Sequence, residues 1–260
     1  MKKASLVGAF FVSAICLTRA EAFCPKPGPL SPVQVQRVVD GDTLRLKDGR
    51  SVRLIGLNAP ELGRRGVPAE PFAVAARQRL QALVKASGGR VGLQLGRERQ
   101  DRYGRTLAHV YGPGGNNFAA QLLAEGLAFQ IAIAPNVELM ACQQQAEHRA
   151  RAAARGLWRR SPVLATQHVK ASGFALVGGR VRKVQRNRGG VWLELPGSLV
   201  VRIAPNALKQ FDVATLKGLQ GRRIEVRGWV RERLPGAGGK SATSRWMLSI
   251  SSSSMLRIIR

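Results

Sequence analysis

Val33-Gln34-Val35-Gln36-Arg37-Val38-Val39-Asp40-Gly41-Asp42-Thr43-Leu44-Arg45-Leu46-Lys47-Asp48-Gly49-Arg50-Ser51-Val52-Arg53-Leu54-Ile55 decides the fold. Three short runs, Val33–Val39, Asp42–Lys47 and Ser51–Ile55, are rich in β-branched and aliphatic residues. Between them lie Asp40-Gly41 and Asp48-Gly49, and an Asp-Gly pair is a strong hairpin signal because both positions tolerate positive φ. A three-stranded meander follows. Beyond it, Ala69 to Lys85 has helical spacing, with Phe72, Ala76, Leu80 and Leu83 on one side, and Gly88-Gly89 stops it. Arg90–Leu95 and Arg105–Tyr111 read as two further strands, followed by helices from about Asn117 to Glu125 and from about Val137 to Arg155. Three strands, a helix and two strands is the order of an OB-type barrel, a small sheet that often binds oligonucleotides.

The second half repeats this order more faintly. Arg180–Gln185, Val191–Leu195 and Leu199–Ile203 read as strands, Asn206–Leu219 as the intervening helix, and Arg222–Val230 and Trp246–Ile250 as the last two strands. A Gly/Ser/Lys loop, Gly236–Ser244, falls between those two. The expected fold class is therefore mainly β with α: an OB-fold barrel with flanking helices over residues 23–160, a linker over 161–172, and a second OB-like basic module over 173–260. Trp192, Trp229 and Trp246 are expected to fill the core of that module, because aromatics are only 5% of the chain.

The chain has 260 residues, with 42 Lys+Arg against 15 Asp+Glu and a formal net charge of +27. A hydrophobic fraction of 45% excludes a wholly disordered basic protein, since enough apolar surface exists to offset ordering entropy. Both halves carry an excess of basic residues. Polyanions are the implied partners, nucleic acid first and anionic lipid or polysaccharide second. His109, His148 and His168 are scattered without zinc spacing, and no Ser/His/Asp or Cys/His arrangement emerges.

Met1–Ala22 reads as a removable export signal. Lys2 and Lys3 precede the apolar Ala4–Leu17, and Ala20-Glu21-Ala22 offers a small-x-small cleavage site. No later stretch has the ~18 apolar residues of a membrane helix. A secreted or periplasmic location is the expectation. Cys24 and Cys142 then remain, either as one disulfide or as two free thiols.

Three segments hold the polar residues that chemistry needs: Asp40-Gly41-Asp42-Thr43, then Arg53 through Asn58-Ala59-Pro60-Glu61, then Asp101-Arg102-Tyr103-Gly104-Arg105. On neighbouring strands of one small barrel they gather hard oxygen ligands, a further carboxylate and two arginines. With the closing Gly156-Leu157-Trp158, these motifs match in order and spacing those of the staphylococcal (micrococcal) nuclease-like thermonucleases, which the chain resembles over about Val33 to Trp158.

The resemblance implies a Ca²⁺-dependent endonuclease that hydrolyses DNA and RNA with little sequence preference and leaves 3′-phosphate ends. It implies that Arg53 and Arg105 clamp the phosphate oxygens, that Glu61 activates water, and that Asp42 holds Ca²⁺ with Asp40 behind it. It also implies that Arg102 and Tyr103 contact substrate. No obligatory protein partner follows from it. The chain departs from the family at Asn58, where a second metal-binding aspartate is expected, and at Ala59, which offers only its backbone carbonyl. The loss of one ligand charge implies weaker or less selective metal binding. A second departure is Phe129-Gln130-Ile131-Ala132-Ile133-Ala134-Pro135, where related nucleases carry tyrosines against the nucleotide. The alternative reading is a non-catalytic nucleic-acid-binding protein on an inactivated nuclease barrel. Such relatives lose the acidic and arginine positions together, whereas here only one metal ligand is altered.

Overall fold

The computed structural model describes residues 24, 28–63, 66–233 and 244–259. The export signal read over residues 1–22 and most of the Gly236–Ser244 loop lie outside the described residues. The first half contains β1 (Pro32–Val38), β2 (Thr43–Leu46), β3 (Ser51–Leu54), β4 (Leu57–Asn58), α1 (Ala73–Ala86), β5 (Arg90–Gln100), β6 (Thr106–Tyr111), α2 (Phe118–Ala124), β7 (Phe129–Gln130) and α3 (Met140–Ala152). β1, β2, β3, β6 and β5 close into a barrel in that order, with β3 and β6 parallel.

Alternation along the strands sends Leu44, Leu46, Val52, Leu54, Ala108 and Val110 inward, where each is at most 1% exposed. Each fully buried aliphatic side chain contributes about 1.5–3 kcal/mol. α1 covers one end with Ala76, Leu80 and Leu83. It starts later than its spacing suggests, because Phe72 takes a left-handed conformation at its N-cap. Asn117 caps α2, its side-chain oxygen accepting from the Ala120 amide at 2.9 Å. Cys24 and Cys142 are joined, with Cα atoms 5.3 Å apart, so the start of the described chain is tied to α3.

The segment 161–172, read as a linker, carries β8 (Val163–Ala165), which pairs in parallel with β9 (Gly173–Arg180). Next come β10 (Lys183–Asn187), β11 (Gly190–Leu195), β12 (Leu199–Ile203), α4 (Val213–Lys217), β13 (Arg223–Glu232), β14 (Trp246–Ile250) and β15 (Leu256–Ile259). The single strand expected at Arg180–Gln185 is two strands. They meet at Val181-Arg182, where the Val181 amide bonds to Arg222 and the Arg182 amide to Glu194. The chain thus changes neighbours at this point: β9 pairs with β13 and β10 with β11. The remaining order, β11-β12-β14-β13 with β12 and β14 parallel, repeats that of the first barrel.

The helix expected over Asn206–Leu219 is also divided, into a 3-10 turn (Pro205–Gln210) and α4. Asp212 restarts the chain by accepting from the Thr215 amide at 2.7 Å as an N-cap.

Two networks join the halves. The Glu225 carboxylate, side chain 1% exposed, meets Arg151 of α3 at 2.6 Å and Arg257 of β15 at 3.1 Å. Arg227 of β13 meets Glu147 of α3 at 2.6 Å. Beside these ion pairs, four rings run from one half to the other. Trp158 meets Phe129 edge-on at 5.7 Å, Phe129 lies against Phe174 at 5.6 Å, and Phe174 meets Trp229 edge-on at 5.3 Å.

Candidate active site

Asp42 immediately precedes β2, and its side chain is buried. Its Oδ1 accepts from Thr43 Oγ1 at 3.0 Å, and its Oδ2 accepts from the Ala59 amide at 3.0 Å. Asp40 Oδ1 accepts from the Asp42 amide at 3.0 Å and so shapes the turn that presents it. Gly41 allows the close approach behind this turn: a Cβ there would lie 2.6 Å from the Ala59 Cβ and 2.7 Å from the Ala76 Cβ. Register sets the partner. Thr43 stands opposite Arg53 in the β2–β3 pair, and Arg53 Nη2 lies 2.9 Å from Asp42 Oδ2.

Arg53 is held from three sides. Its Nη1 donates to the carbonyls of Leu54 and Leu57 at 2.9 and 3.0 Å, and its Nη2 to Asn58 Oδ1 at 3.2 Å. A guanidinium fixed in this way loses little freedom on meeting a phosphate. Gly56 bends the intervening loop at φ +96°, and a Cβ there would collide with the Gln143 side chain of α3. Gln143 in turn donates to the Ile55 carbonyl at 3.2 Å, fixing the loop to the helix. Burial is the strongest influence on Asp42 and pushes its pKa up to about 6, against the opposing pull of Arg53.

The third motif forms the turn between β5 and β6. Asp101 Oδ1 accepts from the amides of Tyr103 and Arg105 at 2.9 and 3.0 Å, and Asp101 Oδ2 binds Arg105 Nε at 2.7 Å. Desolvation raises the Asp101 carboxyl, but the Arg105 guanidinium and those amides together hold it below its ordinary value. Tyr103 is 67% exposed, and the Arg102 guanidinium stacks 4.7 Å from its ring centroid.

Arg53, Arg102, Tyr103 and Arg105 line one cleft of about 560 Å³. Asp42 and Asn58 bond to Arg53, and Ala59 to Asp42, but none of these three is among the residues lining the cleft. Glu61 follows the buried Pro60 on an exposed loop. Its amide donates to Glu70 Oε2 at 2.8 Å, and it is not among the residues lining the cleft. The opposite wall comes from the second half, through Arg202 of β12 and Trp229 and Arg231 of β13. These three were not assigned to the site from sequence. Trp229 is not core, as expected, but 37% exposed, and Trp192 is only half-buried outside the core, whereas Trp246 is buried. The available signal was the two-residue period of Arg227, Trp229 and Arg231, which puts all three on one face of a strand.

A family model described as staphylococcal nuclease homologue matches residues 51–160. The thermonuclease of Staphylococcus intermedius is 37% identical over 129 residues, covering 48% of this chain and 75% of that protein. The thermonuclease of Staphylococcus hyicus is 30% identical over 171 residues, covering 61% of this chain and 99% of that protein. The chain belongs to the staphylococcal nuclease family. It is a nuclease, a hydrolase whose substrate is nucleic acid. A micrococcal nuclease of Shigella flexneri is 37% identical over 107 residues, covering 37% of this chain and 56% of that protein. The family match ends at residue 160, before β8, so the second wall of this nuclease's cleft lies outside the matched segment.

Proposed function

We propose that this nuclease is exported and hydrolyses phosphodiester bonds of DNA and RNA in a calcium-dependent reaction with little sequence preference. The observation that carries the reading is that Arg53, Arg105 and Tyr103 line one cleft, while Asp42 and Asn58 bond to the Arg53 guanidinium and the Ala59 amide bonds to Asp42. The donors are all oxygen: one carboxylate, one amide carbonyl and one backbone carbonyl. Among the described residues no group of three or more His, Cys, Asp or Glu comes together as a metal cluster. A set of this kind suits a hard divalent cation held loosely, since affinity follows ligand charge. Asp42 would be its charged ligand, with Asn58 Oδ1 and the Ala59 carbonyl beside it and Asp40 behind. When bound, calcium supplies charge neutralisation for the phosphoryl group under attack.

The remaining work falls to side chains of the chain itself. Arg53 and Arg105 are planar, permanently charged donors suited to the non-bridging oxygens, and they bind most strongly as charge builds there. Glu61 is the carboxylate assigned to accept the proton of the attacking water. Both arginines would address phosphate oxygens rather than base edges, which fits low sequence preference. The leader read at residues 1–22 and the Cys24–Cys142 bond both fit an oxidising destination. Digestion of plasmid and RNA by the purified mature chain tests the reading. Cutting of both with calcium and none with chelator is expected, and binding without cutting in any divalent ion would overturn it.

A further inference from the structure

Alternation along β13 sends Ile224, Val226 and Val230 into the core of the second half, whose strands form one eight-stranded sheet, and leaves Trp229 and Arg231 on the sheet's outer face. The neighbouring strands extend that face. Arg231 stands opposite Met247 of β14, and Arg202 of β12 stands opposite Ser249. One strand further on, Trp192 stands opposite Arg202, whose guanidinium lies 5.2 Å from the indole centroid. The result is a strip of arginine and indole that begins in the cleft beside Arg53 and Arg105 and continues across the second-half sheet. Its inner end is rigidly placed, because Trp229 terminates the four-ring chain that starts at Trp158 of the first half.

We propose that Trp229, Arg202 and Arg231 form a subsite for a single-stranded segment of the substrate, with a base stacked on the Trp229 indole and phosphates on the two guanidiniums. This rests on the reading of the cleft as the site of phosphodiester hydrolysis. Two observations and one general constraint carry it. The first-half wall presents Ile131 and Ile133 in the tyrosine-free stretch, so the aromatic surfaces of the cleft are Tyr103 and Trp229. Among the described residues neither Arg202 nor Arg231 pairs with a carboxylate, whereas Arg151, Arg227 and Arg257 are committed to Glu225 and Glu147. Finally, a base inside a duplex has both faces covered by its neighbours, so only an unpaired base can lie on an indole.

Fluorescence anisotropy of the full mature chain in chelator, with a labelled oligothymidylate and with a duplex of equal length, tests the subsite without cleavage. Trp229→Ala is expected to weaken single-strand binding by roughly 5- to 150-fold and duplex binding by less than about twofold. Trp229→Phe is expected to recover part of the loss. Arg202→Gln with Arg231→Gln is expected to reduce the slope of log Kd against log salt by about 1.4. If Trp229→Ala does not fold, Trp229→Phe and the arginine pair carry the test. Unchanged single-strand affinity and an unchanged salt slope would overturn the subsite, and cleavage by the same wild-type preparation would leave the hydrolytic reading standing. Trp229-dependent binding without cleavage in calcium would support the subsite and refute the hydrolytic reading.

Discussion

Replacing Glu225 with Gln removes the negative charge at the junction of the two halves while keeping its shape. The carboxylate is 1% exposed and meets Arg151 at 2.6 Å, Arg257 at 3.1 Å and Arg227 at 3.4 Å. Removing one member of a buried pair costs about 3–5 kcal/mol, because its partners remain buried without compensation. Here the lower end applies. Arg257 is 47% exposed and turns to water, and Arg227 keeps Glu147 at 2.6 Å. A loss of about 3 kcal/mol corresponds to a fall in Tm of about 6–12 °C for a chain of this size.

The pH dependence separates this cause from a packing defect. Desolvation raises the Glu225 carboxyl, but Arg151, Arg257 and Arg227 outweigh it and hold the pKa below its ordinary value. The folded state therefore binds fewer protons than the unfolded state. The stabilisation is complete above the unfolded pKa and disappears as pH falls through the folded one. Thermal unfolding of wild type and Glu225→Gln should differ fully at pH 7, and the gap should close as pH falls through the lowered folded pKa of Glu225. A difference below about 1 °C at pH 7, or a gap undiminished in acid, would refute the reasoning.

Two further predictions concern the first barrel. Burial lowers the pKa of His109 from 6.5 to about 4, against the opposing pull of Glu138. The native state favours the neutral ring, so stability is complete above 6.5 and falls by about 3 kcal/mol as pH drops toward 4. Denaturant titrations over that range should show the fall, and His109→Gln should flatten it. Asn58→Asp restores a second carboxylate beside Asp42 and should tighten calcium binding by about tenfold or more, read by calorimetry. Unchanged affinity would show that the ion is not held at this loop.

The first barrel was legible because its signals are local. Asp40-Gly41 and Asp48-Gly49 mark the turns, and the register they set brings Thr43 opposite Arg53. The Arg53–Glu61 segment and the Asp101–Arg105 turn could be placed for the same reason. In the second half, the glycines of Gly173–Arg180 interrupt the apolar alternation, so β9 went unread and β10 was extended backwards into it. Trp229 was misread because a tryptophan on a strand signals burial by composition alone, whereas its side of the strand depends on its neighbours. The Glu225 and Glu147 network joins residues 74 and 80 positions apart, a relation that no local pattern carries.

Under the proposed function, Asp42 and the two arginines make this cleft a calcium-dependent phosphodiesterase. Single-turnover cleavage of a single-stranded oligonucleotide, titrated with free calcium, tests it most directly. Wild type should be inactive in chelator and reach a calcium-saturated rate, and Asp42→Asn should need far more calcium. At saturating calcium, Arg105→Ala should lose about 10²-fold or more in rate while the oligonucleotide remains bound. Full wild-type cleavage in chelator, or an Asp42→Asn calcium curve that overlays the wild type, would contradict the account.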